Sequence, residues 1–552
     1  MTLMEKYHAW VHCPCMPDEL SAELQSMDND TIHDSFYRDL AFGTGGLRGV
    51  LGAGTNRMNV FTVMKATRGL GSYLLNQFSN PSCAVSCDSR IHSRDFAELT
   101  AAVLAEMGIH VWIYPHLQPT PMLSFAVRHL SASAGVMITA SHNPARFNGY
   151  KVYGSDGCQI TLEAAGLIQH QISLQSDLSD HLPVFEHYLR CGLIQYINNE
   201  TIESYYQSVW NLRVRPSDYP LHVVYSPLNG AGNVPVREML RRMGNIHVEV
   251  VHEQELPDGN FPTCPYPNPE IHEAMQLAMM KTIETGADIC FATDPDCDRM
   301  GAGVRIGNEV KLISGNDMGI LMLDYLCRNA EKSQRLPQVV VKTIVTTEMA
   351  GELCGKYGLE LRNVLTGFKY IGEQIGNLEA VGQKDRFLFG FEESYGYLSG
   401  TDVRDKDAVN AVILLCDLAA ELKSAGRSLL DRLADLREEF GYYVQRLLTY
   451  EYEGENGSNR MKTIMSDLRK DCNCFNNDRL RKAVRIDYLN DDTGLPKSDV
   501  ISFSLSDNDR FIVRPSGTEA KLKAYLFTRA ESEKEAEDRL DNLQAIVDRL
   551  CR

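Results

Sequence analysis

CAVSCDSRIHSRDFAELTAAVLAEMGIHVWIY, residues 83–114, is the segment that sets the fold class of this 552-residue chain. It begins with an apolar run at 83–86, typical of a buried strand, and continues into a helix predicted over 95–107. Gly108 follows the last helical turn, where glycine adopts the left-handed conformation that ends a helix. Residues 109–114 are then apolar again. This order predicts a parallel strand–helix–strand unit whose sheet is covered by helices.

Two later segments repeat the same plan. The second has a strand at 221–225, a helix at 234–243, Gly244 and a strand at 246–251, and the third has a strand at 338–344, a helix at 348–357, Gly358 and a strand at 359–364. We therefore predict an α/β fold of three consecutive related domains with mixed sheets. One large doubly wound sheet is the alternative, because its units would look alike in sequence.

The two ends of the chain follow other patterns. Residues 441–452 and 499–505 alternate polar and apolar side chains, and 531–550 form a charged amphipathic helix. These features predict a smaller α+β C-terminal domain. Residues 1–40 are predicted to form a helical extension of the first domain. The predicted domains are 1–210, 211–325, 326–440 and 441–552.

Composition excludes several classes of protein. The hydrophobic fraction of 44% and charged fraction of 23% are those of an ordinary soluble protein. The net charge of −18 disfavours nucleic acid as a partner, although a locally basic cleft can still bind a small anion. No apolar run reaches the ~20 residues that span a bilayer, and residues 1–10 show no signal peptide. The 15 scattered cysteines predict reduced thiols in a cytoplasmic protein, and without a long apolar run no membrane partner is expected.

The first chemical motif is TASHNP, residues 139–144, which follows an apolar run at 134–138. A serine hydroxyl at a strand end, on a loop interrupted by proline, is exposed and rigidly held. Ser141 needs an activating neighbour to act as a nucleophile, and His142 and Lys151 are close in sequence. A simple turn is the alternative.

The second motif is TDPDCDR, residues 293–299, with carboxylates at every other position. Asp294, Asp296 and Asp298 would repel one another unless a cation lay between them, and Mg²⁺ prefers oxygen ligands. A calcium-binding EF-hand fits poorly because Arg299 stands where that loop has glycine. A haloacid-dehalogenase phosphatase loop, with Asp294 as the nucleophile, and a solvated acidic turn are the alternatives.

Three further loops have weaker signals, and each could be a plain turn. GFEESYG, residues 390–396, offers carboxylates to sugar hydroxyls. RPSGTE, residues 514–519, offers hydroxyl and backbone donors beside a guanidinium group, which suits phosphate oxygens. GTGGLRG, residues 43–49, allows a ligand to approach the backbone closely.

In their order along the chain, these motifs resemble those of the α-D-phosphohexomutase superfamily, in particular its phosphoglucomutase and phosphopentomutase branch. The resemblance covers residues 40–530 and implies four domains around a central cleft, each contributing one loop. It implies that Ser141 is phosphorylated and that Mg²⁺ is bound by Ser141, Asp294, Asp296 and Asp298. It also implies catalytic roles for Ser141, His142, Lys151, Lys369 and Arg48, and substrate-binding roles for Arg299, Glu392, Ser394, Lys406, Arg514, Ser516, Gly517 and Thr518.

The reaction implied by the resemblance is that of an isomerase. It interconverts α-D-glucose 1-phosphate and glucose 6-phosphate, with glucose 1,6-bisphosphate as intermediate and activator. The general base stays open among Lys369, His142 and Lys151. The expected partner is a small sugar phosphate, and the chain is expected to be a monomer or homodimer. The alternatives are a phosphopentomutase, a phosphomannomutase or a non-catalytic relative that binds sugar phosphates.

Overall fold

The computed structural model describes residues 2–43, 45–329, 336–452, 454–470, 472, 475, 477–505, 508–516 and 521–551. Over these residues the strands form four separate sheets, so the single doubly wound sheet is excluded. We name the four units by their sheets, in chain order. The predicted fold class is confirmed: three mixed α/β units precede a C-terminal unit whose strands are all antiparallel.

The first unit follows three N-terminal helices, as predicted: α1 (Leu3–Val11), α2 (Asp18–Ser26) and α3 (Asn29–Phe36). Its elements are β1 (Leu47–Val50), α4 (Val60–Gln77), β2 (Ser82–Cys87), α5 (Ser93–Glu106), β3 (His110–Ile113), α6 (Thr120–His129), β4 (Ala134–Ile138), β5 (Phe147–Gly154), α7 (Leu162–Ser173), α8 (Phe185–Arg190), β6 (Ile194–Tyr196) and α9 (Asn199–Asn211). The N-terminal helices are anchored through Trp10, whose ring centroid lies 5.5 Å from that of Phe36 and 5.2 Å from that of Phe61.

The second and third units are shorter versions of the first. The second contains β7 (Leu221–Ser226), α10 (Asn233–Met243), β8 (Ile246–Val250), α11 (His272–Thr285), β9 (Ile289–Thr293), β10 (Met300–Ile306) and β11 (Glu309–Ile313). The third contains α12 (Gly315–Asn329), β12 (Val339–Thr343), α13 (Met349–Tyr357), β13 (Glu360–Val364), α14 (Lys369–Ala380), β14 (Phe387–Glu392), β15 (Gly396–Ser399), α15 (Ala408–Ser424) and α16 (Leu429–Phe440). Short 3₁₀ turns lie at His252–Gln254 and Lys384–Arg386.

The three units share one strand order, which explains their sequence similarity. Four strands run β5-β4-β2-β3 in the first sheet, β10-β9-β7-β8 in the second and β15-β14-β12-β13 in the third. In each, the first three strands along the chain are parallel and the fourth returns as an antiparallel hairpin partner. The glycines that end the central helices have positive φ, at 81° for Gly108, 76° for Gly244 and 69° for Gly358.

The fourth unit contains β16 (Tyr442–Glu451), α17 (Gly454–Leu468), α18 (Asp478–Arg481), β17 (Val484–Asp487), β18 (Ile501–Ser504), β19 (Arg510–Pro515), β20 (Lys521–Ala530) and α19 (Glu533–Cys551). It has its own hydrophobic core, whereas the second and third units share one continuous core. A smaller apolar cluster, including Val345, Tyr488 and Tyr525, joins the fourth unit to the third. The described residues include no helix that is long and apolar enough to span a bilayer.

One predicted domain boundary falls inside a helix. The boundary between residues 325 and 326 would cut α12, which is continuous from Gly315 to Asn329. This helix packs on α13, β14, α15 and α16, which belong to the third unit. We therefore propose that the third domain begins near residue 314, after β11, and we keep the other boundaries as predicted.

Candidate active site

Three of the predicted loops occupy the same topological position. Each connects the third parallel strand of its unit to the antiparallel return strand: β4 to β5, β9 to β10, and β14 to β15. Each also contains a non-glycine residue with positive φ, which is Ser141 (53°), Cys297 (51°) or Tyr395 (65°). This conformation is costly for residues with a side chain and persists where the surroundings enforce it. The three loops are therefore tightly constrained turns.

The Ser141 loop meets the aspartate loop across the boundary between the first and second units. Ser141 Oγ donates a hydrogen bond of 2.9 Å to Asp294 Oδ2, and its distance to His142 Nδ1 is 3.1 Å. The backbone N–H of Thr120 donates to the carbonyl of Asp296 at 2.9 Å. Ser141 is only 4% exposed, so the expectation of an exposed hydroxyl is wrong, because Ser141 packs against the aspartate loop of the second unit. Two loops separated by about 150 residues in sequence therefore form one buried cluster.

The aspartates fit a hard divalent cation. Carboxylate oxygens of Asp294, Asp296 and Asp298 all lie within 4.8 Å of one another, and the three residues are at most 1% exposed. Asp296 Oδ1 and Asp298 Oδ1 are buried and accept no hydrogen bond from the described residues. Buried carboxylate oxygens without a donor are costly, and a cation would satisfy them. The donor set is all oxygen, which suits Mg²⁺ better than softer metals.

Two buried lysines partly neutralise this cluster. Lys151 Nζ lies 2.7 Å from Asp296 Oδ2 and 3.6 Å from Asp298 Oδ2, and Lys406 Nζ lies 3.2 Å from Asp298 Oδ2. Burial and the carboxylates of Asp296 and Asp298 raise the pKa of Asp294 well above its ordinary value. Against the effect of burial, Lys151 holds the pKa of Asp296 below its usual range. Burial, followed by the charge of Asp296, raises the pKa of Asp298 as well, so repulsion among the carboxylates falls on Asp298 and on Asp294, the partner of Ser141.

The turn that carries Ser141 is held by a buried pair that the motif analysis missed, Asp88 and Arg90. Asp88 Oδ2 accepts a 2.6 Å hydrogen bond from Thr139 Oγ1, and Thr139 Oγ1 in turn accepts one from the Ser141 N–H. The Arg90 guanidinium group donates to the carbonyls of Ser141, Asn143, Pro144 and Phe147. The available signal was a charged pair directly after the buried strand β2.

The Glu-Glu-Ser loop of the third unit closes the other side of the cluster. Arg299 pairs with Glu270 and donates a 3.1 Å hydrogen bond to the carbonyl of Ser394. An isolated β-bridge joins Arg299 to Gly396. Glu392 is 5% exposed, and its side chain lines the same cavity as Arg299 and Ser394. The predicted substrate-binding residues of the second and third units therefore share one surface.

Glu393 makes the stability of the protein depend on pH. Burial, followed by the charge of Glu392, raises the pKa of Glu393 from 4.5 to about 7. Between these values the unfolded chain has released a proton that the folded protein retains, so stability falls as pH rises from about 5 to 8. We expect Glu393→Gln to match the wild-type melting temperature at pH 5 and to exceed it at pH 8. Thermal unfolding at both pH values checks this.

The exposed Glu438→Gln variant on α16 is the control for the Glu393 experiment, because its carboxylate has no comparable environment. Its difference from the wild-type protein should not change between pH 5 and pH 8. A Glu393→Gln variant whose melting temperature tracks the wild type at every pH would contradict the assignment of the titrating group.

The four loops surround a central cavity of 1190 Å³. Cationic groups from all four units line it, among them Arg48, Arg299, Lys406, Arg510, Arg514 and Lys523. His142 also lines it, and burial, followed by the charge of Arg299, lowers its pKa well below the ordinary value. Arg514 Nε is buried and has no hydrogen-bond partner among the described residues, so this side chain is available to an anion. Acidic side chains line the cavity as well, and Glu270 pairs with Arg299 and Glu348 with Arg510, so the lining offers an anion local cationic contacts rather than a uniformly positive surface.

Among the remaining predicted site residues, Lys369 lies outside the central cavity. Lys369, at the start of α14, lines a second cavity of 780 Å³ with Tyr370 and Glu373, whereas Thr366, Gly367 and Phe368 line the central one. Arg48 reaches Asn143 Oδ1 at 3.5 Å. Ser516 donates its backbone N–H to the carbonyl of Lys521 at 2.7 Å. Gly517 and Thr518 lie outside the described residues. Of the three candidate bases, the structure brings His142 and Lys151, but not Lys369, to Ser141 and the aspartates.

Family models match most of the chain. The three α/β/α domains of the phosphoglucomutase/phosphomannomutase family match residues 39–177 (domain I), 203–307 (domain II) and 314–440 (domain III). The third match begins directly after β11, in agreement with the boundary proposed above.

Curated relatives match over nearly their full length. A phosphoglucomutase of Staphylococcus saprophyticus is 35% identical over 512 residues, which covers 89% of this chain and 91% of the relative. A phosphoglucomutase of Staphylococcus epidermidis is 36% identical over 501 residues, which covers 88% of this chain and 90% of the relative.

Solved structures share the fold at lower identity. Parafusin, a phosphoglucomutase of Paramecium solved in an open form, superposes with a TM-score of 0.71 at 17% identity, covering 93% of this chain and 95% of that one. A family protein from Burkholderia thailandensis gives a TM-score of 0.69 at 18% identity, covering 92% and 97%. The family models, the curated relatives and the four-unit architecture agree, and this chain belongs to the phosphoglucomutase/phosphomannomutase family.

Proposed function

We propose that this protein is a phosphoglucomutase, an isomerase that interconverts α-D-glucose 1-phosphate and glucose 6-phosphate through a phosphorylated Ser141. The observation that carries the proposal is the 2.9 Å contact between Ser141 Oγ and the aspartate cluster, beside a cavity lined by cations from four units. A nucleophilic oxygen, a carboxylate cage for a cation and an anion-binding cavity are the parts that phosphoryl transfer requires.

In the proposed reaction, phosphorylated Ser141 transfers its phosphoryl group to a free hydroxyl of the sugar monophosphate. The P–O bond to Ser141 breaks, and the sugar oxygen forms the new P–O bond and loses its proton to a base. The resulting glucose 1,6-bisphosphate turns around in the cavity and returns its other phosphoryl group to Ser141. The cavity volume of 1190 Å³, against the ~300–1,000 Å³ of ordinary ligand pockets, supports such a reorientation.

The aspartates are the proposed ligands of Mg²⁺, together with an oxygen of the Ser141 side chain. When bound, the ion would neutralise negative charge on the transferring phosphoryl group. Lys151 and Lys406 hold Asp296 and Asp298 in place through ion pairs. The Asp88–Arg90 pair keeps Ser141 in its strained turn, so that its oxygen points toward the cluster.

Among the three candidate bases, position favours His142. Its Nδ1 lies 3.1 Å from Ser141 Oγ, and its side chain lines the central cavity. Lys151 is engaged by two carboxylates, and Lys369 lies in another cavity. Arg514, Ser516, Gly517 and Thr518 are the proposed site for the phosphate that does not react, with Arg299, Glu392, Ser394 and Lys406 on the sugar side. Arg48 is proposed to face the transferring phosphate.

The substrate is tested with a panel of sugar 1-phosphates, each assayed with Mg²⁺ and its matching 1,6- or 1,5-bisphosphate. We expect glucose 1-phosphate to give the highest kcat/KM, with mannose 1-phosphate, N-acetylglucosamine 1-phosphate and ribose 1-phosphate well below it. Omitting the bisphosphate should lower the initial rate, because unphosphorylated Ser141 must first be charged. A higher kcat/KM for the pentose phosphate would replace the proposed substrate but retain the mechanism, whereas no turnover of any sugar would indicate a binding protein.

A further inference from the structure

A second cluster of metal-binding side chains lies at the edge of the second sheet, apart from the candidate active site. His222 on β7 and His247 on β8 are direct partners in the parallel register of these strands, so their side chains emerge on the same face. Their ring centroids are 4.6 Å apart. Glu249, two residues after His247 and therefore on the same face, places Oε1 3.5 Å from His247 Nε2.

This cluster is distant from the aspartates. The backbone N–H of His222 donates to Asp288 Oδ2, directly before β9 begins, whereas Asp294 follows the last residue of that strand. β9 has five residues, which corresponds to about 16 Å at ~3.3 Å per residue. The two clusters therefore lie at opposite ends of the same sheet, and a ligand bound at one does not contact the other.

His222, His247 and Glu249, which we call the edge cluster, have a geometry close to that of a metal site. Ligand atoms of the three side chains lie within 4.8 Å of one another, and tetrahedral zinc ligands stand about 3.4 Å apart. Small side-chain rotations would close this gap, because His247 is largely exposed and free to move. His222 Nε2 is buried and has no hydrogen-bond partner among the described residues, so it lacks the donor or acceptor that a buried imidazole nitrogen requires.

We propose that His222, His247 and Glu249 form a second cation site, which takes Zn²⁺ or a similar borderline transition metal. Two imidazoles and one carboxylate are zinc donors, whereas the all-oxygen aspartate cluster suits a hard ion such as Mg²⁺. The two sites therefore prefer different metal ions because their ligand atoms differ. Three protein ligands leave a fourth position open to water. The metal would tie the edge strand β8 to β7. Lys281, whose Nζ lies 3.8 Å from Glu249 Oε2, competes for the carboxylate when the site is empty.

The test measures Zn²⁺ binding to the full chain in excess Mg²⁺, which occupies the aspartates. Competition with a chromophoric chelator should show one more Zn²⁺ equivalent in the wild-type protein than in His247→Ala/Glu249→Gln. Lys281→Met should tighten binding. With Cu²⁺ as the probe, electron paramagnetic resonance should show coupling to two histidine nitrogens that is lost in His247→Ala. Mutase activity in Mg²⁺ alone should be the same in all of these variants.

Two controls address other zinc donors in the chain. Cys15→Ser removes a thiol close to His12 in sequence, and His187→Ala removes an imidazole near Cys191. Neither substitution should change the number of bound Zn²⁺ ions that depends on His247 and Glu249. The proposal is overturned if His247→Ala/Glu249→Gln binds the same number of Zn²⁺ ions as the wild type, or if its Cu²⁺ spectrum is unchanged.

Discussion

Replacing Ser141 with alanine should reduce mutase turnover at least ~10⁴-fold, the scale seen when a catalytic nucleophile is removed. The variant has no oxygen that can accept or donate the phosphoryl group. The cations that line the cavity are untouched, so binding of glucose 6-phosphate, measured by calorimetry, should remain within a few-fold of the wild-type value. The largest effect is therefore expected in kcat rather than in substrate affinity.

Mass spectrometry gives an independent reading of the same prediction. The wild-type protein treated with bisphosphate should gain one phosphate, mapped to the peptide that contains Ser141, and Ser141→Ala should gain none. Ser72→Ala, at a half-buried position of α4, is the matched control and should retain full activity. Substantial turnover by Ser141→Ala, or phosphate on Asp294, would refute the serine mechanism and favour the phosphatase-type alternative.

Replacing Arg90 with methionine should be among the most destabilising changes in the first unit. Arg90 is 3% exposed and Asp88 is 2% exposed, so the substitution leaves a buried carboxylate without its cation. Removing one partner of a buried pair costs about 3–5 kcal/mol. The carbonyls of the Ser141 turn also lose their donor. We expect a large fall in the melting temperature, together with a loss of kcat that exceeds the change in KM.

Hydrogen exchange distinguishes a local from a global effect of Arg90→Met. Amides at 139–147 should lose protection first, because the guanidinium group holds this turn. Asp88→Asn/Arg90→Met should regain part of the stability, since no unpaired charge remains, but not the activity. Arg241→Met removes a surface ion pair with Glu238 and should change the melting temperature little, because solvent screens exposed ion pairs. A melting temperature for Arg90→Met equal to that of Arg241→Met would contradict the role of the buried pair.

The sequence predicted the repeated units because their physical signals are local. Apolar strands, a helix of regular period and a terminal glycine can each be recognised within about 30 residues, as in residues 83–114. The chemical loops were found for the same reason: each motif is continuous and follows a buried strand. We propose a boundary near 314 in place of 325 because α12 packs on the unit that follows it, and helix periodicity does not reveal which sheet a helix will cover.

The parts that sequence could not supply depend on contacts between distant residues. Asp88 and Arg90 appear as an ordinary charged turn, and only the fold places their side chains beneath the Ser141 loop. Lys369 follows three residues that line the central cavity, but the first turn of α14 directs its side chain into another one. A difference of one residue on a helix is a rotation of about 100°, which motif spacing does not resolve.

Local patterns are sufficient to predict the three α/β units, the C-terminal unit and the loops that carry the chemistry, because strand and helix patterns and short motifs are properties of neighbouring residues. Three further features appear only in the folded protein: Ser141 meets Asp294, four units share one central cavity, and two histidines on adjacent strands face each other. These arrangements depend on how sheets and helices pack, and packing joins residues that are far apart in the chain.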